Sequence, residues 1–237
     1  MSIWRRFSRE DDGFSLMELL AAMAIGGIVL TGVLTVFTNG LTSTSRILDR
    51  VDSSSRARYA MDRMTTLLNS QVCLISPDED LGQAATPPIV AGSTGNSITF
   101  YADLDGAATT PAKYTLTYDP AAKTLTQYTY QGTGTMGSNL AFPTTPTSTR
   151  RLADNVQAQG SDPVFSYYGF TSTGTVNDDV AGLATPISVA NALKVVRVNI
   201  KIQANSEMTK ADDKRRTIIT GQGTVATADP VDQSTCP

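Results

Sequence analysis

Hydrophobic and polar positions follow three regimes along this chain. Residues Leu19 to Phe37 read LLAAMAIGGIVLTGVLTVF, an apolar run interrupted only by small residues and Thr. At about 1.5 Å per helical residue it reaches roughly 28 Å, close to the hydrocarbon thickness of a bilayer, and so predicts a helix able to span a membrane. Its Thr hydroxyls can bond back to helix carbonyls. After Gly40 the apolar positions Ile47, Val51, Ala57, Met61, Met64, Leu68, Val72 and Ile75 recur mostly at helical steps, with charged residues between them. That is the period of an amphipathic helix. The two regimes together predict one long helix from about Phe14 to Gln71, its second half laid against a sheet.

Beyond Pro77 the pattern becomes short β-rich runs: Ser97 to Tyr101, Lys113 to Tyr118, Thr124 to Tyr130, Val164 to Phe170, Leu193 to Gln203 and Thr217 to Val225. Gly, Pro, Asn and Asp clusters separate them, and the run Asp119-Pro120-Ala121-Ala122-Lys123 predicts a turn between two strands. Gly132 to Thr149 and Thr171 to Ile187, rich in Thr, Ser, Gly and Pro, read as surface loops. The expected class is α+β: a long N-terminal α-helix packed on one face of an antiparallel β-sheet head.

The charges flanking the apolar run orient it. Arg5, Arg6 and Arg9 precede it and no Lys or Arg follows before Arg46, so the positive-inside bias keeps the N-terminus cytoplasmic and exports the head. A cleavable secretory signal has a shorter core followed at once by a small-x-small site, and no Ala-x-Ala closely follows Phe37. One carboxylate, Glu18, stands at the edge of the run. Unpaired at the bilayer centre it would cost on the order of 3 kcal/mol. Cleavage between Gly13 and Phe14 would create an α-amine four residues before it, in the helical turn where the dipole also favours a carboxylate. In a stack of similar subunits, the amine of one chain can neutralise the glutamate of its neighbour in a low-dielectric core.

The order Gly13-Phe14-Ser15-Leu16-Met17-Glu18-Leu19-Leu20, followed by an apolar helix, resembles the cleavage and methylation motif of type IV pilins, type II secretion pseudopilins and related competence proteins. The resemblance implies that a prepilin peptidase cuts after Gly13 and N-methylates Phe14, with Glu18 as the assembly glutamate. It also implies a pilin-like fold, and as partners the membrane, other pilin or pseudopilin subunits and an inner-membrane assembly platform. The corresponding division is a leader at 1–13, a transmembrane or filament-core helix at 14–38, its amphipathic continuation at 39–76 and a β-rich head at 77–237. Many such proteins carry a proline in mid-helix, whereas here none precedes Pro77. The later segments RARYAMDRMTTLLNSQVCL, ITFYADLDG and LKVVRVNIKIQA resemble the larger minor pilins and J-type minor pseudopilins. A mature chain of 237 − 13 = 224 residues is long for a major pilin. A minor subunit at or near the filament tip is the expectation.

Composition narrows the alternatives. With a formal charge of −3 and pI near 5.0, no overall basic field attracts nucleic acid. Arg46, Arg50, Arg56, Arg58 and Arg63 could form a basic stripe, but Asp49, Asp52 and Asp62 lie among them and favour a solvated helix face. The chain has no histidine, which excludes Ser-His-Asp, Cys-His and His-zinc chemistry, and no enzyme or cofactor is expected. Its two cysteines, Cys73 and Cys236, suit one disulfide in an exported head, the alternative being two separately buried thiols. Asp103-x-Asp105-Gly106 opens like a calcium loop but lacks further carboxylates, so a β-turn is the better reading, and Asn177, Asp178 and Asp179 carry the same discount. The competing function is a surface-displayed adhesin or DNA-capture module whose loops bind a ligand and whose helix serves as a tether.

Overall fold

The computed structural model describes residues 15–74, 86–104, 110–170, 180–205, 217–224 and 236. The chain divides into two compact units, 1–47 and 48–237. A single unbroken helix, α1 (Leu16–Asn69, 54 residues), passes from the first into the second.

Within the second unit, α1 buries Ser53, Ala57, Ala60, Met61, Met64, Leu67 and Leu68, a stripe at three- and four-residue steps. Burial therefore begins at Ser53. The apolar periodicity assigned to Ile47 and Val51 does not extend the stripe, because these residues are 60% and 58% exposed. The arginines are set among counter-charges, Arg56 pairing with Asp52 at 3.0 Å one turn away in an exposed i,i+4 bridge. At its end the helix is stitched to the first strand: the Val72 amide donates to the Tyr101 carbonyl and the Asp103 amide to the Ser70 carbonyl.

The strands form two antiparallel sheets where the sequence suggested one. The first has the order β1 (Ser97–Ala102), β2 (Ala112–Asp119), β3 (Thr124–Gln131), β4 (Ser148–Ala153). Strict alternation places Ile98, Phe100, Tyr114 and Leu116 inward, while Ser97 meets Thr117 and Thr99 meets Thr115 through hydroxyl pairs on the outer face. The predicted turn joins β2 to β3: Asp119 Oδ1 accepts from the Ala121 and Ala122 amides, and Lys123 takes φ 54°.

Asn155, at φ 55°, turns the chain from β4 into β5 (Val156–Gln157) and so into the second sheet. There β8 (Arg197–Ala204) is central. It pairs along its whole length with β9 (Thr217–Thr224), and its other edge is shared by β6 (Phe165–Phe170) and β5, with β7 (Val180–Gly182) outside β6. Three expectations are corrected. β4 begins inside the stretch read as a loop, β7 forms in the second such stretch, and residues 193–196 are not strand. Ser188 caps a short helix, α2 (Val189–Ala192), by accepting from the Asn191 amide, which delays β8 to Arg197.

One core joins these parts: Met61, Met64, Leu67 and Leu68 of α1 belong to the same cluster as Phe100, Leu116, Leu125, Phe165, Ile200 and Ile202. Tyr167 is buried with it and donates its hydroxyl to the Thr94 carbonyl at 2.9 Å. Burial pushes this phenol above the ordinary tyrosine range, with a hydrogen bond to Ser93 as a smaller opposing effect. Gly221 and Gly223 on β9 allow the close approach to the helix. A Cβ at the first would strike Met61 and Thr65, and at the second the Cβ of Leu68. Gly223→Ala is therefore expected to destabilise the protein by about 1–3 kcal/mol. Gly182→Ala, which meets no atom within 4 Å, should leave stability nearly unchanged. Thermal unfolding of the full chain checks the pair, and equal shifts would contradict this packing.

Candidate assembly site

The first described residue, Ser15, sets the start of α1: its carbonyl accepts from the Glu18 amide at 2.9 Å and the Leu19 amide at 3.1 Å. Ser15 and Glu18 occupy the N-cap and third helical positions, the S-x-x-E spacing of a capping box. Ser15 is thus a site residue that the sequence reading passed over, although its spacing to Glu18 was visible. Glu18 lies in the first turn, where the helix dipole stabilises a carboxylate. Gly13 and Phe14, the candidate cleavage and methylation positions, lie outside the described residues.

From Leu16 to Phe37 every residue is exposed within the chain, including Leu16 at 75%, Ile28 at 74% and Phe37 at 62%. A helix apolar on all sides is stable only when something else covers it, either lipid or other helices. Its threonine hydroxyls are already satisfied internally. Thr31 Oγ1 donates to the Gly27 carbonyl at 2.8 Å and Thr35 Oγ1 to that of Thr31 at 2.8 Å, while Thr38, Thr42 and Thr44 bond back in the same way. These bonds let five hydroxyls enter an apolar medium without an unpaired donor. Gly26, Gly27 and Gly32 have no atom within 4 Å of a notional Cβ, so no contact within the chain requires them. Small residues of this kind let helices come close in an apolar medium. The segment is long and apolar enough to cross a membrane, and it fits a single-pass anchor.

A family model described as "Prokaryotic N-terminal methylation motif" matches residues 9–34, the stretch that contains the Gly13-Phe14 junction, Glu18 and most of the apolar run. The chain is type IV prepilin-like at its N-terminus. No curated protein and no solved structure matches the chain significantly. In this prepilin-like chain, Glu18 is the sole charged residue between Ser15 and Ser45.

The other candidates separate clearly. Cys73 and Cys236 are joined in a disulfide with their Cα atoms 5.9 Å apart, closing a sequence separation of 163 residues between the end of α1 and the C-terminus. Asp103 is described, its amide engaged with Ser70, but Asp105 lies outside the described residues, as do Asn177, Asp178 and Asp179. Among the described residues no cluster of carboxylate or thiol ligands suits a metal ion. Closure of so long a loop removes much unfolded-chain entropy, so reduction, or the double change Cys73→Ser and Cys236→Ser, should lower stability by about 2–5 kcal/mol. Urea unfolding of oxidised and reduced protein tests this, and superimposable curves would contradict it.

Proposed function

We propose that the protein is a minor pilin or pseudopilin: a precursor cut after Gly13 and N-methylated at Phe14, then built through its helix into a type IV pilus-like filament or a secretion pseudopilus. One observation carries this reading. A carboxylate, Glu18, sits in the first turn of a helix whose apolar surface is uncovered on every side, within the residues that match the methylation motif. Such a carboxylate requires a cation in the same low-dielectric layer. The α-amine freed by cleavage supplies one at the right depth, and assembly presents it from a neighbouring subunit. The partners in this reading are the prepilin peptidase, other pilin-like subunits and the inner-membrane assembly platform.

A place at or near the tip rests on the resemblance to larger minor subunits and on the length of the processed chain. The head faces the extracytoplasmic side in this reading, which agrees with a disulfide in its fold. Glu18→Ala should leave membrane insertion and leader removal intact and reduce incorporation into sheared filaments by about tenfold or more, the effect of removing about 1.4 kcal/mol or more of pairing. Quantitative immunoblotting of filament and membrane fractions reads this, and normal recovery of the variant in filaments would overturn the role of Glu18.

A further inference from the structure

β9 ends the second sheet on an edge that pairs with no other strand among the described residues. The Lys201 amide of β8 donates to the Val164 carbonyl beside β6 at 2.9 Å, so odd-numbered residues of β8 face β6 and even-numbered ones face β9. Across the ladder Val198, Ile200 and Ile202 meet Gly223, Gly221 and Ile219. Ile218, Thr220, Gln222 and Thr224 therefore turn their amides and carbonyls away from the sheet. The Thr224 amide is capped by Asn69 Oδ1 at 3.2 Å, which agrees with this direction and closes that end of the edge. From Ile218 to Gln222 the outward backbone groups have no partner among the described residues, and Ile218, Thr220 and Gln222 are exposed. The other edges are protected. β1 is covered by the segment before it, the Val90 amide donating to the Thr99 carbonyl at 2.8 Å and the Tyr101 amide to the Pro88 carbonyl at 2.9 Å. β4 carries the exposed Arg150 and Arg151, and β5 and β7 are only two and three residues long. Charge, shortness and cover are what keep an edge from pairing, and β9 has none of them there: its eight residues, TIITGQGT, hold no charge, no proline and no register shift.

We infer that this edge is an interface for a second copy of the chain, joined β9 to β9 in antiparallel pairing about Thr220. Amides and carbonyls aimed outward from alternate residues are complemented along their length by another extended backbone. The open stretch Ile218 to Gln222 is its own complement. A two-fold axis at Thr220 sets Thr220 against its counterpart and Ile218 against Gln222, so every outward residue meets an outward residue and each pair exchanges both N–H···O bonds. A slip by one residue would oppose these groups to residues already bonded to β8. A slip by two sets Ile218 against Thr224, whose amide Asn69 already holds. The pairing brings no like charges together, and the central Thr–Thr contact is a favourable cross-strand pair. A charged strand from another protein would find no counter-charge on β9. The interface stands apart from the filament reading, because it uses neither the methylation motif nor the bare half of α1.

Amide hydrogen exchange of the full-length protein in detergent micelles tests the inference, because association through the apolar helix alone leaves the β9 edge amides open. The outward amides of β9 are expected to exchange at least tenfold more slowly at about 1 mM protein than at about 1 μM. Thr220→Lys sets like charges opposite each other and should remove that slowing, as should Thr220→Glu. An equal mixture of the two variants should restore it, since Lys then faces Glu. Unchanged protection of the β8 amides reports that each variant keeps its fold. Should Thr220→Lys fail to fold, Thr220→Pro removes the central outward amide without costing a bond to β8, and it too should abolish the slowing. Thr126→Lys, on the outer face of the first sheet, should behave as wild type. Exchange at β9 that does not depend on concentration, slowing that persists in the single-charge variants, or a mixture that fails to regain it would overturn the proposal. So would an equal loss in Thr126→Lys.

Discussion

The apolar surface of the first half of α1 has no partner inside its own chain, and this constraint governs what the protein can be. Burial of apolar surface contributes about 25 cal/mol per Å², so leaving every side chain from Leu16 to Phe37 in water would forfeit a large stabilisation. The exposed Leu, Ile, Val, Met and Phe residues must therefore meet lipid or other helices. Within that medium the threonines are silent, because each bonds to a helix carbonyl behind it. Glu18 is different. It is the sole charged residue between Ser15 and Ser45, and the proposed assembly answers it with a cation from a neighbouring subunit.

The rest of the fold makes the opposite use of α1. From Ser53 onward the helix supplies one wall of a closed core, and small residues on both sides bring it close: Ala57 and Ala60 on the helix, Gly221 and Gly223 on β9. β9 follows nearly the whole of the head in sequence, so its docking on α1 joins distant parts of the chain, and the Cys73–Cys236 bond adds a covalent closure between the end of the helix and the C-terminus. A single element thus serves two environments, bare and apolar in the first unit, striped and core-forming in the second. The outward side of the second sheet takes part in neither task.

Much of this was legible in the residues because it is local. The apolar run, the helical period of Met61, Met64 and Leu68, and the Asp119 turn each depend on neighbours a few positions away. The order Gly13-Phe14 to Glu18 is equally local and lies within the residues that match the methylation motif, although its first two residues lie outside the described part of the structure. What escaped depends on distant partners. β4 carries Arg150 and Arg151 on an edge strand and lacks a clean alternation, and Arg150 is held by Tyr59 of α1, 91 residues away. The split into two sheets follows from a left-handed Asn155, which no hydrophobic pattern announces. Ile47 and Val51 continue a helical period yet stay exposed, since periodicity gives a face but not the point at which a sheet begins to cover it. The polar rows of the second sheet were hidden for the same reason: Ser166, Asn199 and Gln222 become neighbours only through strand register.

The most direct measurement is N-terminal peptide and intact-mass spectrometry of the protein isolated from its native membrane, in a strain with active prepilin peptidase. A chain beginning at Phe14 and carrying an N-methyl group is the predicted result, since it places the amine that Glu18 requires. A chain that still begins at Met1 would contradict it, leaving Glu18 without its cation and the helix as an ordinary membrane anchor.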